Sequence, residues 1–439
     1  MPLKLFIDTL IALLEENRIS YCILRNYEGL PEINLGNDID ILVPLECRTS
    51  LKILLFQMPN IKVTSILERP QGMMVFVYGV GNGGKYQALE IDFIFSLSWK
   101  GIDFLDTHTV LQMAKPMDST NLKIIVPTRE HEAIISLFSS YLIGGWIKER
   151  YFESVRSTFK IYERQVTSTL GKFMGSTVAA NVVTAVLADN RKELMAILPT
   201  IKGELLRRSF LRRPFDSCKR IIRHFSRELQ IYFSQKHILS IGILGPDGAG
   251  KSTIIREMEP LLTNITKEIV VLHLKPKIFG SRLNSKIVTD PHALPVRSQI
   301  ISICKVIIWC IEISIDKINH RHRNTTLRIW DRYFHDILID PVRYRYGGPM
   351  PLINWIAKKI PQPTLWILLD APTSVLQCRK QEVSAAETDR QRRKYISLMG
   401  TFNDGVIIDA SNSKEKVANE IAQLIIEHAR VKARKTLER

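Results

Sequence analysis

The sequence predicts a mixed α/β chain: a C-terminal parallel sheet flanked by helices, preceded by an α+β domain and a helical segment. Three observations lead there. From residue 236 on, apolar runs of β type alternate with stretches of helical spacing, the rhythm of strands joined by helices. Residues 127–235 carry helical periodicity throughout. Residues 1–126 mix one helix with short β-type runs, separated by Pro and by a Gly-Asn-Gly-Gly turn signal at 81–84. The expected regions are therefore 1–126, 127–235 and 236–439, and a length of 439 residues fits two or three domains.

Composition narrows the partners. A net charge of +17 and a pI near 9.6 favour polyanions: nucleotides, nucleic acid, phosphorylated sugars or an anionic membrane face. No nucleic-acid recognition motif accompanies the charge. Cys22, Cys47, Cys218, Cys304, Cys310 and Cys378 form no CxxC pair and no zinc spacing, and read as reduced thiols of a cytoplasmic protein. His320 and His322 lack a nearby Cys or carboxylate and read as a solvated loop rather than a metal site.

The chain opens with an amphipathic helix. Asp8, Glu15 and Glu16 interrupt its apolar pattern, unlike the unbroken core of a signal peptide. Strands are expected at 39–43, 73–78 and 88–95. Alternate side chains of a strand share a face, so Asp38 and Asp40 point the same way. Two carboxylates held together repel unless a cation lies between them. Asp92 sits in the alternating run Leu89-Glu-Ile-Asp-Phe, with Glu90 on its face.

Asp38-Ile-Asp40, followed by Asp92 between Ile91 and Phe93, resembles the polymerase-β-like nucleotidyltransferase superfamily. The resemblance implies a nucleotidyltransferase-like α+β domain. It also implies that Asp38, Asp40 and Asp92 bind Mg²⁺ ions that align a nucleoside triphosphate with an acceptor oxygen, a second activity for the chain. Leu24-Arg25-Asn26 stands where that family carries Gly-Ser, and Arg25 offers a phosphate contact there. A strand edge with solvated acids, and an inactive nucleotide- or sugar-binding domain, stay open as readings.

Helical sequence begins at Thr128, an expected N-cap with Glu130 and Glu132 in the first turn. Its end is unusual. Residues 207–227 hold eight Lys or Arg and one acid, Asp216, interleaved with Phe210, Leu211, Phe215, Ile221, Ile222 and Phe225. Such a segment rests on an anionic membrane surface, or serves as a solvated linker touching nucleotide phosphates or a neighbouring domain. Further on, Arg297, Lys305, Glu312, Asp316 and Lys317 interrupt the most apolar stretch, 296–318, against a spanning helix.

The strongest motif is Gly245-Pro246-Asp247-Gly248-Ala249-Gly250-Lys251-Ser252-Thr253, a G-x-x-x-x-G-K-[ST] loop. An apolar run at 237–244 precedes it and helical spacing at 252–262 follows, giving strand, loop and helix in order. The glycines let backbone N–H groups close around phosphate oxygens. The helix aims its positive end at the same anion. Lys251 neutralises phosphate charge and Ser252 offers a hydroxyl to Mg²⁺. This predicts a P-loop domain that binds a nucleoside triphosphate and Mg²⁺.

Further strands are expected in the run 327–333, ending in Asp331-Arg332, at 363–370 and at 405–409. With the loop, the Asp-Arg-Tyr, the arginines at 379–393 and the Asp409-Ala410-Ser411 run, this region resembles the thymidylate kinase family. The resemblance implies that Asp331 positions or deprotonates the phosphate acceptor, or holds Mg²⁺ through water. It implies that Arg332 grips an acceptor phosphate. Arg379, Arg390 and Arg392 become lid residues that stabilise the transferring phosphoryl group, with a solvated helix face as the other reading of each. Asp409 and Ser411 fall at the nucleotide-base contacts.

Two runs depart from that family. Residues 270–276 lack its Arg-Glu-Pro-Gly-Gly signature, and residues 336–349 replace the usual continuation after Asp-Arg-Tyr with Arg-Tyr-Arg-Tyr-Gly-Gly. The expected function is an ATP- and Mg²⁺-dependent phosphotransferase acting on a nucleoside monophosphate such as thymidylate. The alternatives are an acceptor that is a phosphorylated sugar or lipid-linked glycan, and a non-enzymatic nucleotide-switched membrane scaffold. The expected partners are a nucleotide substrate, an anionic membrane surface at 207–227 and a second copy of the chain, with no specific nucleic acid. The expected location is cytoplasmic and peripheral on the inner membrane face.

Overall fold

Period-two alternation decides which face of the N-terminal sheet is apolar. In the computed structural model the described residues are 3–34, 38–58, 61–80, 86–117, 124–234, 239–263, 265–274, 295–319 and 326–437. Expectations that fell on the turn at 81–84, on His237, Pro276, His320 or His322 lie outside them. The chain divides into two units, Met1–Ser234 and Gln235–Arg439.

The first unit carries a five-stranded sheet of β1 (Cys22–Ile23), β2 (Asp38–Leu42), β3 (Ile61–Glu68), β4 (Gly72–Val80) and β5 (Tyr86–Ile94), in the order β1-β2-β5-β4-β3. β2 and β5 run parallel and the other pairs antiparallel, with a register shift between Val63 and Ser65. Ile39, Ile41, Ile91 and Phe93 turn to one side and form a core with α1 (Leu3–Glu16) and α2 (Arg48–Gln57). Alternation sends Asp38, Asp40, Glu90 and Asp92 to the other side. Two ribbons follow, β6 (Ser98–Trp99) with β7 (Ile102–Asp103), and β8 (Lys115–Pro116) with β9 (Ile125–Val126), around α3 (Thr107–Met113).

A second core gathers the helices α4 (Arg129–Gly144), α5 (Glu149–Ile161), α6 (Glu163–Met174), α7 (Ser176–Leu187) and α8 (Arg191–Arg212). It also takes in Cys22, Leu24 and Leu42 from the sheet, so strands and helices share one unit. Thr128 occupies the N-cap of α4 with extended backbone, but its hydroxyl makes no capping bond, contrary to the expected signature. Gly145, at φ 68°, closes that helix in the left-handed region that only glycine enters freely. The basic segment is not one continuous helix: α8 ends at Arg212, and α9 (Pro214–Ser234) begins at a proline.

The second unit is built on five parallel strands, β10 (Leu239–Leu244), β11 (Glu268–His273), β12 (Thr326–Asp331), β13 (Leu365–Asp370) and β14 (Gly405–Asp409), ordered β11-β12-β10-β13-β14. Every residue of β12 is buried, as expected of a strand covered on both faces. The helices are α10 (Lys251–Met258), α11 (Gln299–Asn319), α12 (Asp336–Ile339), α13 (Met350–Ala357), α14 (Thr373–Arg379), α15 (Ala385–Met399) and α16 (Lys414–Leu437). Trp330, Trp366 and Leu368 pack with α11, α13 and α15, while α10 and α16 pack on each other.

Three elements of the second unit have boundaries that differ from the sequence expectation. The helix after the loop stops at Met258, because Pro260 turns the next residues into a 3₁₀ turn, Glu259–Leu262. The strand expected to end in Asp331-Arg332 ends at Asp331, where Arg332 takes φ 70° and leaves the ladder. β13 begins at Leu365, two residues later than expected. The six cysteines are all free thiols. Among the described residues no helix is long and apolar enough to cross a membrane.

Candidate functional site

Strand order reverses at β10, whose neighbours β12 and β13 lie on opposite sides, and the loop leaves its C-terminal end at this switch point. The glycines there are obligatory. Gly245, Gly248 and Gly250 hold φ of 149°, 81° and 83°. A Cβ on Gly245 would come 2.5 Å from the Leu369 carbonyl oxygen, and one on Gly248 2.6 Å from that of Leu376. Pro246 and buried Ala249 complete the turn, and Gly250 is the N-cap of α10. Thr253 lies exposed in its first turn.

Lys251 folds back into the loop. It is 6% exposed, and its Nζ donates to the carbonyls of Gly245 at 2.7 Å and Pro246 at 2.8 Å. Burial, with Arg332 nearby, pushes its pKa down to about 7, against the pull of Asp247, Asp336 and Asp331. Beside it the Ser252 hydroxyl donates to Asp331 Oδ2 at 2.8 Å, and His273 Nδ1 lies 3.3 Å from the same oxygen. Burial works to raise the Asp331 pKa, but His273, Ser252 and Lys251 together hold it below the usual carboxylate range.

Asp247 gathers two arginines to the loop. Arg332 and Arg343 both donate to its carboxylate, and Arg343 also bonds Glu382 at 2.9 Å. Burial opposes ionisation there, yet Arg332, Lys251 and Arg343 keep Asp247 far below the ordinary range. Arg332 also donates its backbone N–H to the Ile243 carbonyl at 3.1 Å, which explains its position just off the strand. Beneath it, fully buried Asp336 accepts from the Tyr333 N–H at 2.8 Å and from the Tyr395 hydroxyl.

The expected lid residues are bonded elsewhere. Arg379 donates to the Ala410 carbonyl at 2.8 Å. Arg390 pairs with Glu387 one helical turn earlier. Arg392 grips Asp370 with two bonds of 2.9 Å and Thr373 Oγ1 at 3.0 Å, at the end of β13. Asp409 and Ser411 form a local turn after β14, with Ser411 donating from N at 2.9 Å and from Oγ at 2.6 Å. Those bonds hold the exposed Asp409 below its ordinary pKa.

In the first unit Asp40 lies opposite Asp92, and Asp38 opposite Glu90, across the parallel β2–β5 pair. Arg25 pairs with Asp40, and Arg69 bonds Asp92 at 2.8 Å. Burial still raises Asp92 to about 6, with Asp40 and Asp38 adding to the effect and Arg69 opposing it. Arg25 and Arg69 already neutralise these two carboxylates, and a divalent ion at Asp40 and Asp92 would compete with both guanidinium groups for them. Among the described residues no group of three or more His, Cys, Asp or Glu side chains is placed to hold a metal ion.

The sequence singles out no role for Glu382, Tyr395, His273 or Arg69, and points to Arg343 and Asp336 only through their run. Arg343 and Asp336 lay inside the run that departs from the family pattern, so departure was itself the signal. The others come from distant segments with no spacing rule to connect them. Comparison with protein-family models and with characterised proteins gives no match.

Proposed function

We propose that the Gln235–Arg439 unit is a P-loop phosphotransferase that moves the terminal phosphoryl group of ATP onto a nucleoside monophosphate such as thymidylate. The observation that carries this reading is the nine-residue loop at the switch point, with Ser252 bonded to Asp331 of the adjacent strand. Three positive-φ glycines leave the loop free of Cβ atoms where phosphate oxygens would lie. A hydroxyl and a carboxylate side by side are the hard oxygen donors that Mg²⁺ prefers, so the residues fit that ion.

Bound Mg²⁺ supplies neutralisation of the phosphate charge that grows during transfer. The loop N–H groups and the start of α10 hold the β-phosphate side. Lys251 exchanges its two carbonyl partners for phosphate oxygens and gains a full charge there. Asp331 orients the Ser252 hydroxyl and fixes the metal side of the site. Arg332 and Arg343, held near the loop by Asp247, are the cations poised for the transferring and acceptor phosphates. The lid role passes from Arg379, Arg390 and Arg392 to Arg343, with Glu382 linking the 380–384 stretch to it.

A second acceptor class, a phosphorylated sugar or lipid-linked glycan, is favoured by one observation. The unfamiliar 336–349 run delivers Arg343 to the loop itself. The first unit, by this reading, is nucleotidyltransferase-like in fold, with arginine-compensated carboxylates. The test is ATP consumption by the whole chain with Mg²⁺ and a panel of nucleoside monophosphates and sugar phosphates, beside Lys251→Ala. Stimulation by thymidylate, lost in the variant, supports the nucleotide acceptor. Stimulation by a sugar phosphate alone moves the acceptor class, and ATP binding with no stimulated turnover overturns the reading.

A further inference from the structure

Helix α9 has two unlike sides. On one, Ser217 is 2% exposed, half-buried Ile221 packs on the helical core, and Arg220 pairs with Asp103 of β7. These contacts fix the helix axis and its rotation. On the other, Phe215, Ile222, Phe225 and Leu229 are 89%, 66%, 43% and 58% exposed. At about 100° per residue these four fall within an arc of about 80°. Leu211, at the end of α8, is 71% exposed as well.

Cations frame this strip. Arg212 and Arg213 are exposed at the junction of α8 and α9, and Lys219 and Arg223 along the flank of α9, against Asp216 and Glu228 as the exposed acids. An apolar strip on a surface helix normally turns to the core, where it gains about 1.5–3 kcal/mol per large side chain. Here the rotation set by Ser217, Ile221 and Arg220 turns it outward. A rigid helix with bulky apolar residues on one line and cations beside them matches the headgroup–acyl boundary of an anionic bilayer.

We propose that α9 docks the chain on an anionic lipid surface. Phe215, Ile222, Phe225 and Leu229 enter the boundary region, and Arg212, Arg213, Lys219 and Arg223 meet lipid phosphates and carboxylates. The helix is already folded and pinned, so docking carries no cost of ordering it. The inference is independent of the phosphotransfer reading.

The experiment is co-sedimentation of the full chain with vesicles of phosphatidylcholine alone and of phosphatidylcholine with phosphatidylserine, beside Phe215→Glu/Leu229→Glu and Lys219→Glu/Arg223→Glu. All four positions are exposed, and circular dichroism checks that each variant folds. Expected are at least about tenfold stronger binding to phosphatidylserine vesicles, weakening with salt, and loss of that binding in both variants. Equal binding to both vesicle types overturns the proposal, and so does binding that survives Phe215→Glu/Leu229→Glu. If light scattering shows self-association that the same variant abolishes, without lipid binding, the strip is an interface between copies and the proposal falls.

Discussion

The Ser252 hydroxyl donates to the Asp331 carboxylate at 2.8 Å, tying the first turn of α10 to the last residue of β12. Nothing local makes this bond, because 79 positions separate the two residues. It arises because β10 and β12 pair in parallel with Ile243 beside Asp331.

Asp331→Ala removes the only carboxylate bonded to Ser252 among the described contacts. Phosphoryl transfer is expected to fall by about 10²–10³-fold, the scale of losing one preorganised charge. Calorimetry should also show ATP binding that no longer tightens with Mg²⁺. An unchanged Mg²⁺ effect would remove Asp331 from the metal side of the site.

Lys251 titrates near pH 7 in the free loop, while a triphosphate beside it favours the ammonium form. ATP binding above pH 7 should therefore take up a proton. Affinity should fall as pH rises, by up to about tenfold per unit. Titration calorimetry at pH 8 in two buffers of different ionisation heat measures this directly. Identical heats in both would contradict it.

Gly248→Ala forces a Cβ to within 2.6 Å of the Leu376 carbonyl oxygen at φ 81°. The backbone strain alone is worth about 1–3 kcal/mol. The expected result is a lower Tm and a larger loss of nucleotide affinity, since the loop has to open to relieve the contact.

His335 gives a pH dependence of stability. Burial pushes its pKa from 6.5 down to about 4, so the folded imidazole stays neutral where the unfolded one gains a proton. Its stabilising contribution is complete above pH 6.5 and fades as pH falls toward 4, by about 3 kcal/mol in all. The ring packs against Trp366 and Phe402, so His335→Phe keeps an aromatic there. Thermal melts of the variant should lose part of the acid-side slope, and an identical slope would count against this assignment.

Arg25→Ala leaves Asp40, 1% exposed, without its guanidinium partner. An uncompensated buried charge costs about 3–5 kcal/mol. Adding Asp40→Asn should recover most of the loss, which denaturant unfolding of the single and double variants resolves.

Some of this was legible from the chain alone. The Gly245–Thr253 loop could be read because its chemistry is consecutive: three glycines, a lysine and a hydroxyl within nine positions. Asp331 was also legible, since a polar residue closing an apolar run marks the end of a buried strand. Asp38, Asp40 and Asp92 were found by period-two alternation. Arg69 was not, because a long side chain reaches from the β3–β4 turn to β5 without leaving a spacing in the sequence.

Local sequence is enough to set the elements and the loop, because backbone preferences and apolar period act over a few residues. Which charges meet follows from the folding of distant segments onto one another. That folding bonded Arg379 to the Ala410 carbonyl, Arg390 to Glu387 and Arg392 to Asp370, and brought Arg332 and Arg343 to Asp247 across 85 and 96 positions. It also turned the apolar side of α9 outward, through three contacts on its opposite side. Ion pairs and helix rotation depend on distance in space, where charge and burial exert their force, and separation along the chain carries no such measure.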